Sequence, residues 1–359
     1  MDLILETHGT RVSKVQGMLQ IIVPGKEKVE VPIREVESIL IGANVSLTTQ
    51  VLKSLSAKGV NIIYTSFGKA YGLYTPFATV GTVHTRRQQL KAYEDWRGKH
   101  IAMQIVRAAM ENKRRLLLYL AKGRKTTNPG LTVRLRAAAK KIERLIGELQ
   151  QGTSLLKKGE SLNAIRAKLM GLEGRAAAIY FIEYANIFPE GFKTLTRSRR
   201  PPRNPLNSLL SLGYMIILSH VTTAILATGL ELYGGFLHSD RSGKPSLALD
   251  LIEEFRQPIV DRLVARLVNK GQIKVEDFET SLHGYKLKDH VKNFFYSELT
   301  KEINGKEPTR ELFGDFTRKE KRSGHVKMNF KREMLKQARK LARYLIGSEN
   351  QYEPYLMNW

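Results

Sequence analysis

Glu173, His238, Asp250 and Glu253 are the side chains whose types and spacing point to chemistry. Glu173, His238 and Glu253 would supply two carboxylate oxygens and one imidazole nitrogen, a mixed set suited to Mg²⁺ or Mn²⁺ with positions left for water and phosphate. Asp250 lies three residues before Glu253. On a helix that spacing turns both acids to one side, with Leu249, Ile252 and Phe255 roughly opposite. An ion held there would neutralise a phosphate oxygen, orient a hydroxyl or water and stabilise the leaving oxygen. Each residue also has a plainer reading: Glu173 as a core-edge carboxylate paired with Arg166 or Arg175, the two later acids as a solvated face, His238 as a loop cap. The combination favours the metal. The chain carries 59 Lys+Arg against 34 Asp+Glu, a formal net charge of +25, and bare acids would repel the polyanion that such a surface attracts.

A same-sign excess of this size opposes compaction unless a polyanion offsets it, and nucleic acid is the natural partner; a merely soluble basic protein, or one resting on anionic lipid, is the alternative. The 359 residues suffice for about two domains, each with its own core. The absence of cysteine excludes a disulfide framework, a zinc ribbon and a thiol nucleophile, and is consistent with a reducing, cytoplasmic setting. The opening residues MDLILETHGTRV contain acids and no basic-then-apolar order, so no secretory signal is expected. From Asn204 to Leu230 no residue is charged, but Asn207, Ser208, Ser211, Ser219, His220, Thr222 and Thr223 interrupt the apolar run. The stretch is therefore expected to be the central helix of a large helical domain rather than a membrane span, and His220 a core histidine.

Elements that could position these groups follow from periodicity. Short β-rich runs at Leu3–Glu6, Arg11–Lys14, Met18–Val23, Lys28–Pro32 and Val36–Ile41 are divided by turn signals such as His8-Gly9 and Pro24-Gly25. A helix capped by Asn44 or Ser46 and ended by Gly59 follows, then strands at Val60–Tyr64 and Ala70–Tyr74 around a Phe67-Gly68-Lys69 turn. Beyond Thr82 the period is helical: about 86 to 121, 132 to 150, 161 to 187, 205 to 231, 246 to 268, 287 to 302 and 328 to 346. The expected fold is therefore α+β with two domains, a small N-terminal β-rich domain at 1–82 and a larger all-α domain at 83–359. Glu173 would sit beside the stripe Leu162, Ile165, Leu169, Leu172, Ala176, Ile179, with Asp250 and Glu253 on a helix opened by Pro245.

Four runs carry a family resemblance: GLEGRAAAIYF at Gly171 to Phe181, RRPPRNPLNSLLSLGY at Arg199 to Tyr214, GGFLHSDRSGKPSLALDLIEEFRQP at Gly234 to Pro258, and the tail YEPYLMNW from Tyr352. In sequence and order they resemble the CRISPR-associated integrase and endonuclease family called Cas one (Cas1), over nearly the whole chain. The resemblance implies an N-terminal β-domain that dimerises, a C-terminal helical catalytic domain, and two homodimers bridged by the small protein Cas two (Cas2). It implies that Glu173, His238 and Glu253 hold the Mg²⁺ or Mn²⁺ ion, with Asp250 a further active-site acid that supports the ligands or a second metal. Some relatives have aspartate where this chain has Glu253.

The implied activity belongs to antiviral defence, in spacer acquisition. The 3′ hydroxyl of a DNA fragment, the prospacer, attacks a phosphodiester at each end of a CRISPR repeat, and water as nucleophile would give endonuclease cleavage. The competing readings are a casposase, a transposon-encoded relative that integrates its own ends, and a non-catalytic basic scaffold that bridges DNA. Expected DNA contacts are Arg197, Arg199, Arg200, Arg203, Lys244, Lys319, Lys321 and Arg322 to phosphate, with Asn207 and Tyr214 near the reacting phosphate and Gly234 and Gly235, with the loop Ser239 to Lys244, where the DNA backbone comes close.

Overall fold

The computed structural model describes residues 2–66, 69–76, 83–151, 160–194, 196–198, 201–281, 284–305 and 328–358. The N-terminal part contains β1 (Asp2–Leu5), β2 (Thr10–Val15), β3 (Met18–Ile22), β4 (Val29–Pro32), β5 (Ser38–Ile41), β6 (Val45–Leu47), α1 (Thr49–Ser56), β7 (Asn61–Ser66) and β8 (Lys69–Tyr74). Two four-stranded sheets result, ordered β1-β5-β7-β8 and β4-β3-β2-β6. In the first, β1, β5 and β7 run parallel and β8 returns antiparallel to β7. Phe67 and Gly68, expected to turn between those last two strands, lie outside the described residues. All four residues of β5 are buried, as expected of a strand covered on both faces. In the second, Gln16 and Gly17 both have positive φ and Val15 pairs with Met18, which makes a two-residue hairpin turn whose twist matches that of its strands. The expected cap at Asn44 or Ser46 is corrected: residues 45–47 pair with β2, and Thr48 caps α1 by accepting from Val51 N.

The helical part follows as α2 (Val83–Ala92), α3 (Trp96–Lys122), α4 (Pro129–Gln151), α5 (Leu162–Ala185), α6 (Pro205–Leu226), α7 (Ser246–Leu251) and α8 (Arg262–Asn269), the hairpin β9 (Phe278–Ser281) and β10 (Gly284–Leu287), then α9 (Asp289–Asn304) and α10 (Phe330–Leu345). The chain is thus α+β, sheets first and helices after. The two parts also meet: Leu40 and Ile63 of the sheets join the helical core, and Glu6 accepts from Tyr296 (2.5 Å) and pairs with Lys292 (2.9 Å) on α9.

Three differences from the sequence reading bear on the site. The helix expected from 86 to 121 is two helices. Asp95 caps the second through Arg97 N (2.8 Å), and Gly98 is needed because a Cβ there would lie 2.3 Å from the Ala92 carbonyl oxygen. The helix expected from 246 to 268 gives way after α7 to a 3₁₀ turn at Ile252–Glu254 and a π-helical turn at Arg256–Asp261. Pro258 causes this. It has no N–H to offer the carbonyl of Glu254, four residues back, and that carbonyl instead accepts Asn112 Nδ2 from α3 (2.9 Å). The β9–β10 hairpin is absent from the sequence reading, although strand-type residues flank a Gly there. Gly284, at φ +90°, approaches Pro202 so closely that only glycine fits, and Tyr285 N donates to Pro202 O (2.9 Å), tying the hairpin to the crossover before α6.

Helix α6 is long and apolar enough to cross a membrane, but 67% of its most apolar window is buried, against α7, α10 and the π turn among others. His220 is buried within it. Among the described residues no other helix meets that length and composition.

Candidate active site

Glu173 lies on α5 and Asp250 and Glu253 lie on the broken 246–261 segment, both of which pack against α3. On α5, Leu162, Ile165, Leu169, Ala176 and Tyr180 are buried, which places Glu173 at the edge of the core. Its partner is neither Arg166 nor Arg175: Lys113 of α3 reaches Glu173 Oε1 at 2.8 Å, while Arg175 pairs with Glu148 (2.6 Å). Arg166 turns instead to the loop that carries His238, donating from Nε to Phe236 O (2.8 Å) and from Nη2 to Gly235 O (2.9 Å). Gln89 of α2 holds the same loop one step earlier, donating to Glu231 O (2.9 Å) and Gly234 O (2.8 Å) and accepting from Glu231 N (2.7 Å).

Asp250 fixes the other side of that loop. Fully buried, its carboxylate accepts the N–H groups of Phe236 (2.6 Å), Leu237 (3.0 Å) and His238 (2.9 Å) and meets His238 Nδ1 at 2.7 Å. A carboxylate on Nδ1 sets the imidazole tautomer and makes Nε2 the nitrogen for a ligand. Burial also corrects two expectations. Asp250 and Glu253 do not form a solvated face, and Gly235 is not a DNA approach point, because a Cβ there would lie 2.6 Å from Ser246 Cβ inside the fold.

Glu253, 5% exposed, binds Arg256 through Oε1 (2.8 Å), and its Oε2 is buried with no hydrogen-bond partner. Arg256 lies over the Tyr214 ring (5.0 Å to the centroid), and Arg197 approaches the same ring at 5.7 Å. Burial opposes the Arg256 charge, but Glu253, Tyr214, Glu173 and Asp261 outweigh it and raise its pKa. Beneath, Asp261 receives the hydroxyls of Tyr214 (2.5 Å) and Tyr180 (2.6 Å). Burial raises the Asp261 pKa against the lowering effect of those two bonds, and burial together with the Asp261 charge pushes both tyrosines well up.

The tail seals this floor. Tyr352 donates to Glu254, Tyr355 N donates to Glu254 Oε2 (2.7 Å), and Asn112 accepts from Met357 N (3.0 Å). Burial pushes Glu254 up to about 7 despite the Tyr352 and Tyr355 bonds.

Among the described residues no three His, Asp or Glu groups already stand in metal-ligand spacing; Lys113 and Arg256 occupy the two glutamates. The donor chemistry nevertheless fits a hard divalent ion, with two carboxylates, an imidazole oriented through Nδ1 and one orphaned buried carboxylate oxygen. Of the expected DNA contacts, Arg199, Arg200, Lys319, Lys321 and Arg322 lie outside the described residues. Arg203 is exposed, and Lys244 donates to Ser239 O (3.2 Å). Asn207 is fully buried, accepting from Arg197 (2.9 Å) and donating to Thr196 O and Ser198 Oγ, so it shapes the crossover from inside rather than offering its amide to a ligand.

Sequence reasoning missed Lys113, Gln89, Asp261 and the loop-holding role of Arg166. Lys113 alone left a signal, a cation on the apolar stripe of α3 with Ala109, Met110, Leu116 and Leu117.

Sheets followed by a helical half, in a chain of net charge +25, define a strongly basic α+β protein. A family model described as CRISPR associated protein Cas1 matches residues 3–301. The chain belongs to the Cas1 family. It is 30% identical over 366 aligned positions to CRISPR-associated endonuclease Cas1 1 of Archaeoglobus fulgidus, across 100% of both chains. Among solved structures, a chain of a Cas6-RT-Cas1–Cas2 complex superposes with TM-score 0.77 at 20% identity, over 100% of this chain and 36% of that one, so this chain spans about a third of that chain's length. A casposase bound to integration product superposes with TM-score 0.75 at 22% identity, over 99% and 94%. At those identities the two structures speak for the fold.

Proposed function

We propose that this protein is a metal-dependent DNA integrase and endonuclease of CRISPR adaptation, which joins the 3′ hydroxyl ends of a prospacer duplex to the CRISPR repeat by transesterification. In each joining step a bond forms between the prospacer 3′ oxygen and a repeat phosphorus. The bond from that phosphorus to the flanking 3′ oxygen breaks, and the proton of the attacking hydroxyl ends on the departing oxygen. With water as nucleophile the same geometry hydrolyses the strand. The observation that carries the reading is the grip of Asp250 on His238: four hydrogen bonds spent on presenting one imidazole nitrogen make sense if that nitrogen binds something.

Glu173, His238 and Glu253 would hold Mg²⁺ or Mn²⁺, which when bound supplies charge neutralisation at the phosphate and alignment of the attacking and leaving oxygens. The protein positions the two DNAs. Arg197 and Arg256, stacked on Tyr214, present guanidinium groups beside the acids, and exposed cations such as Arg203 take phosphates without reading sequence. Family membership and the fold shared with a Cas1–Cas2 assembly support working as a homodimer, joined through the β-part, with two dimers bridged by Cas2, in the cytoplasm and away from membranes.

A strand-transfer assay tests this: the protein with its Cas2, a labelled duplex with 3′ hydroxyl ends, a supercoiled repeat-bearing plasmid, and Mg²⁺ or Mn²⁺, beside His238→Ala. Label joined at the repeat only with metal and intact His238 is the expected result. Joining without Cas2 and without preference for the repeat moves the reading to a casposase. DNA binding with no joining by either protein returns it to a scaffold.

A further inference from the structure

Lys113 is 4% exposed, and its ammonium donates to Ala109 O (3.3 Å) and to Glu173 Oε1 (2.8 Å). A buried ammonium needs an anion, and a carboxylate in its place carries the cost of losing it. Arg256 stands to Glu253 as Lys113 stands to Glu173, so both proposed acidic ligands are already held by cations of the fold. A divalent ion bound to Glu173 competes with Lys113 for the charge of that carboxylate, and two like charges then share one small region of lowered dielectric. The ammonium lies on a helix whose neighbouring residues Ala109, Met110, Leu116 and Leu117 are buried, so a Lys113 left without its carboxylate would be a buried, unpaired charge. It needs a new anion close by.

We propose that Lys113 is the resident cation of this site, competing with the metal for Glu173 in the free protein and passing to a DNA phosphate when the metal enters, so that ion and phosphodiester load together. The inference rests on the reading of Glu173, His238 and Glu253 as metal ligands. It adds that metal affinity is weak until DNA is present and that Lys113 sets the difference. By linkage, metal tightens DNA by the same factor by which DNA tightens metal.

The test is a Mn²⁺ titration followed by loss of the free-ion paramagnetic resonance signal, on the full chain, with and without a dideoxy-ended duplex that cannot react, ion held by the duplex alone being subtracted. In wild type the duplex should tighten Mn²⁺ by roughly tenfold, within the usual span of site coupling. Lys113→Met should bind Mn²⁺ roughly tenfold tighter than wild type without DNA and gain little from the duplex, whereas Lys113→Arg, which keeps the charge, should resemble wild type. Lys113→Met binding no tighter than wild type overturns the proposal. So does a wild type whose Mn²⁺ affinity ignores the duplex, a readout that holds even if the Met variant fails to fold. Glu173→Gln separates the two layers: if it loses Mn²⁺ while Lys113→Met matches wild type, only the role of Lys113 falls, and if it binds Mn²⁺ as wild type does, the ligand assignment of Glu173 falls and takes the inference with it.

Discussion

The two sides of the candidate site are built from different bonds. On the imidazole side, His238 is held by backbone: Asp250 takes three successive N–H groups, Arg166 takes the carbonyls of Gly235 and Phe236, and Gln89 takes that of Gly234. Backbone groups cannot swing away, so that side is set before any ligand arrives. On the carboxylate side, Glu173 and Glu253 are held by the side-chain cations of Lys113 and Arg256, and Glu253 Oε2 has no partner at all. Side-chain ion pairs can be exchanged. The difference teaches that preorganisation is concentrated where one imidazole must point correctly, and exchangeable charge where an ion and a phosphate have to be admitted.

The largest effect should come from breaking the rigid side. Asp250→Ala leaves two buried N–H groups and one part-buried N–H unpaired, the buried ones at about 1–3 kcal/mol each, so a loss of at least about 2 kcal/mol in urea unfolding is expected together with the loss of strand transfer. If unfolding is unchanged, the grip on the loop is not what orders it. Next is Arg166→Lys, which keeps the charge but not the fork that spans two carbonyls. A drop of roughly 10–100-fold in metal affinity or activity is expected, with little change in DNA binding at fixed salt. Activity equal to wild type would show that Asp250 alone suffices.

The floor under the exchangeable side gives a smaller effect. Asn112→Ala removes donors to Glu254 O and Tyr355 O and the acceptor for Met357 N, and should cost about 1–3 kcal/mol and speed trimming of the tail from Tyr352 onward by carboxypeptidase. The smallest belongs to a single exposed cation. Arg203→Ala should lower DNA affinity modestly and flatten the log–log salt slope by about 1, with no change in sequence preference.

Much of this was written along the chain. Period-two and then helical patterning gave strands before helices, because burial of one face imposes its own spacing on the residues that form it. The four residues of the site were legible as chemical types, and α5 carried Glu173 where its apolar stripe placed it. What tertiary structure decided were contacts between residues far apart in sequence. Lys113 and Glu173 are sixty positions apart, Gln89 and Gly234 one hundred and forty-five, and no local pattern records such a pairing. The broken helix at Pro258 shows both sources together. Proline by itself forbids one hydrogen bond, but that the freed Glu254 carbonyl is claimed by Asn112, and that Arg256, three residues after Glu253, lies over Tyr214, depends on α3 and α6 packing against that turn, because a buried polar group takes whichever partner the fold brings within reach.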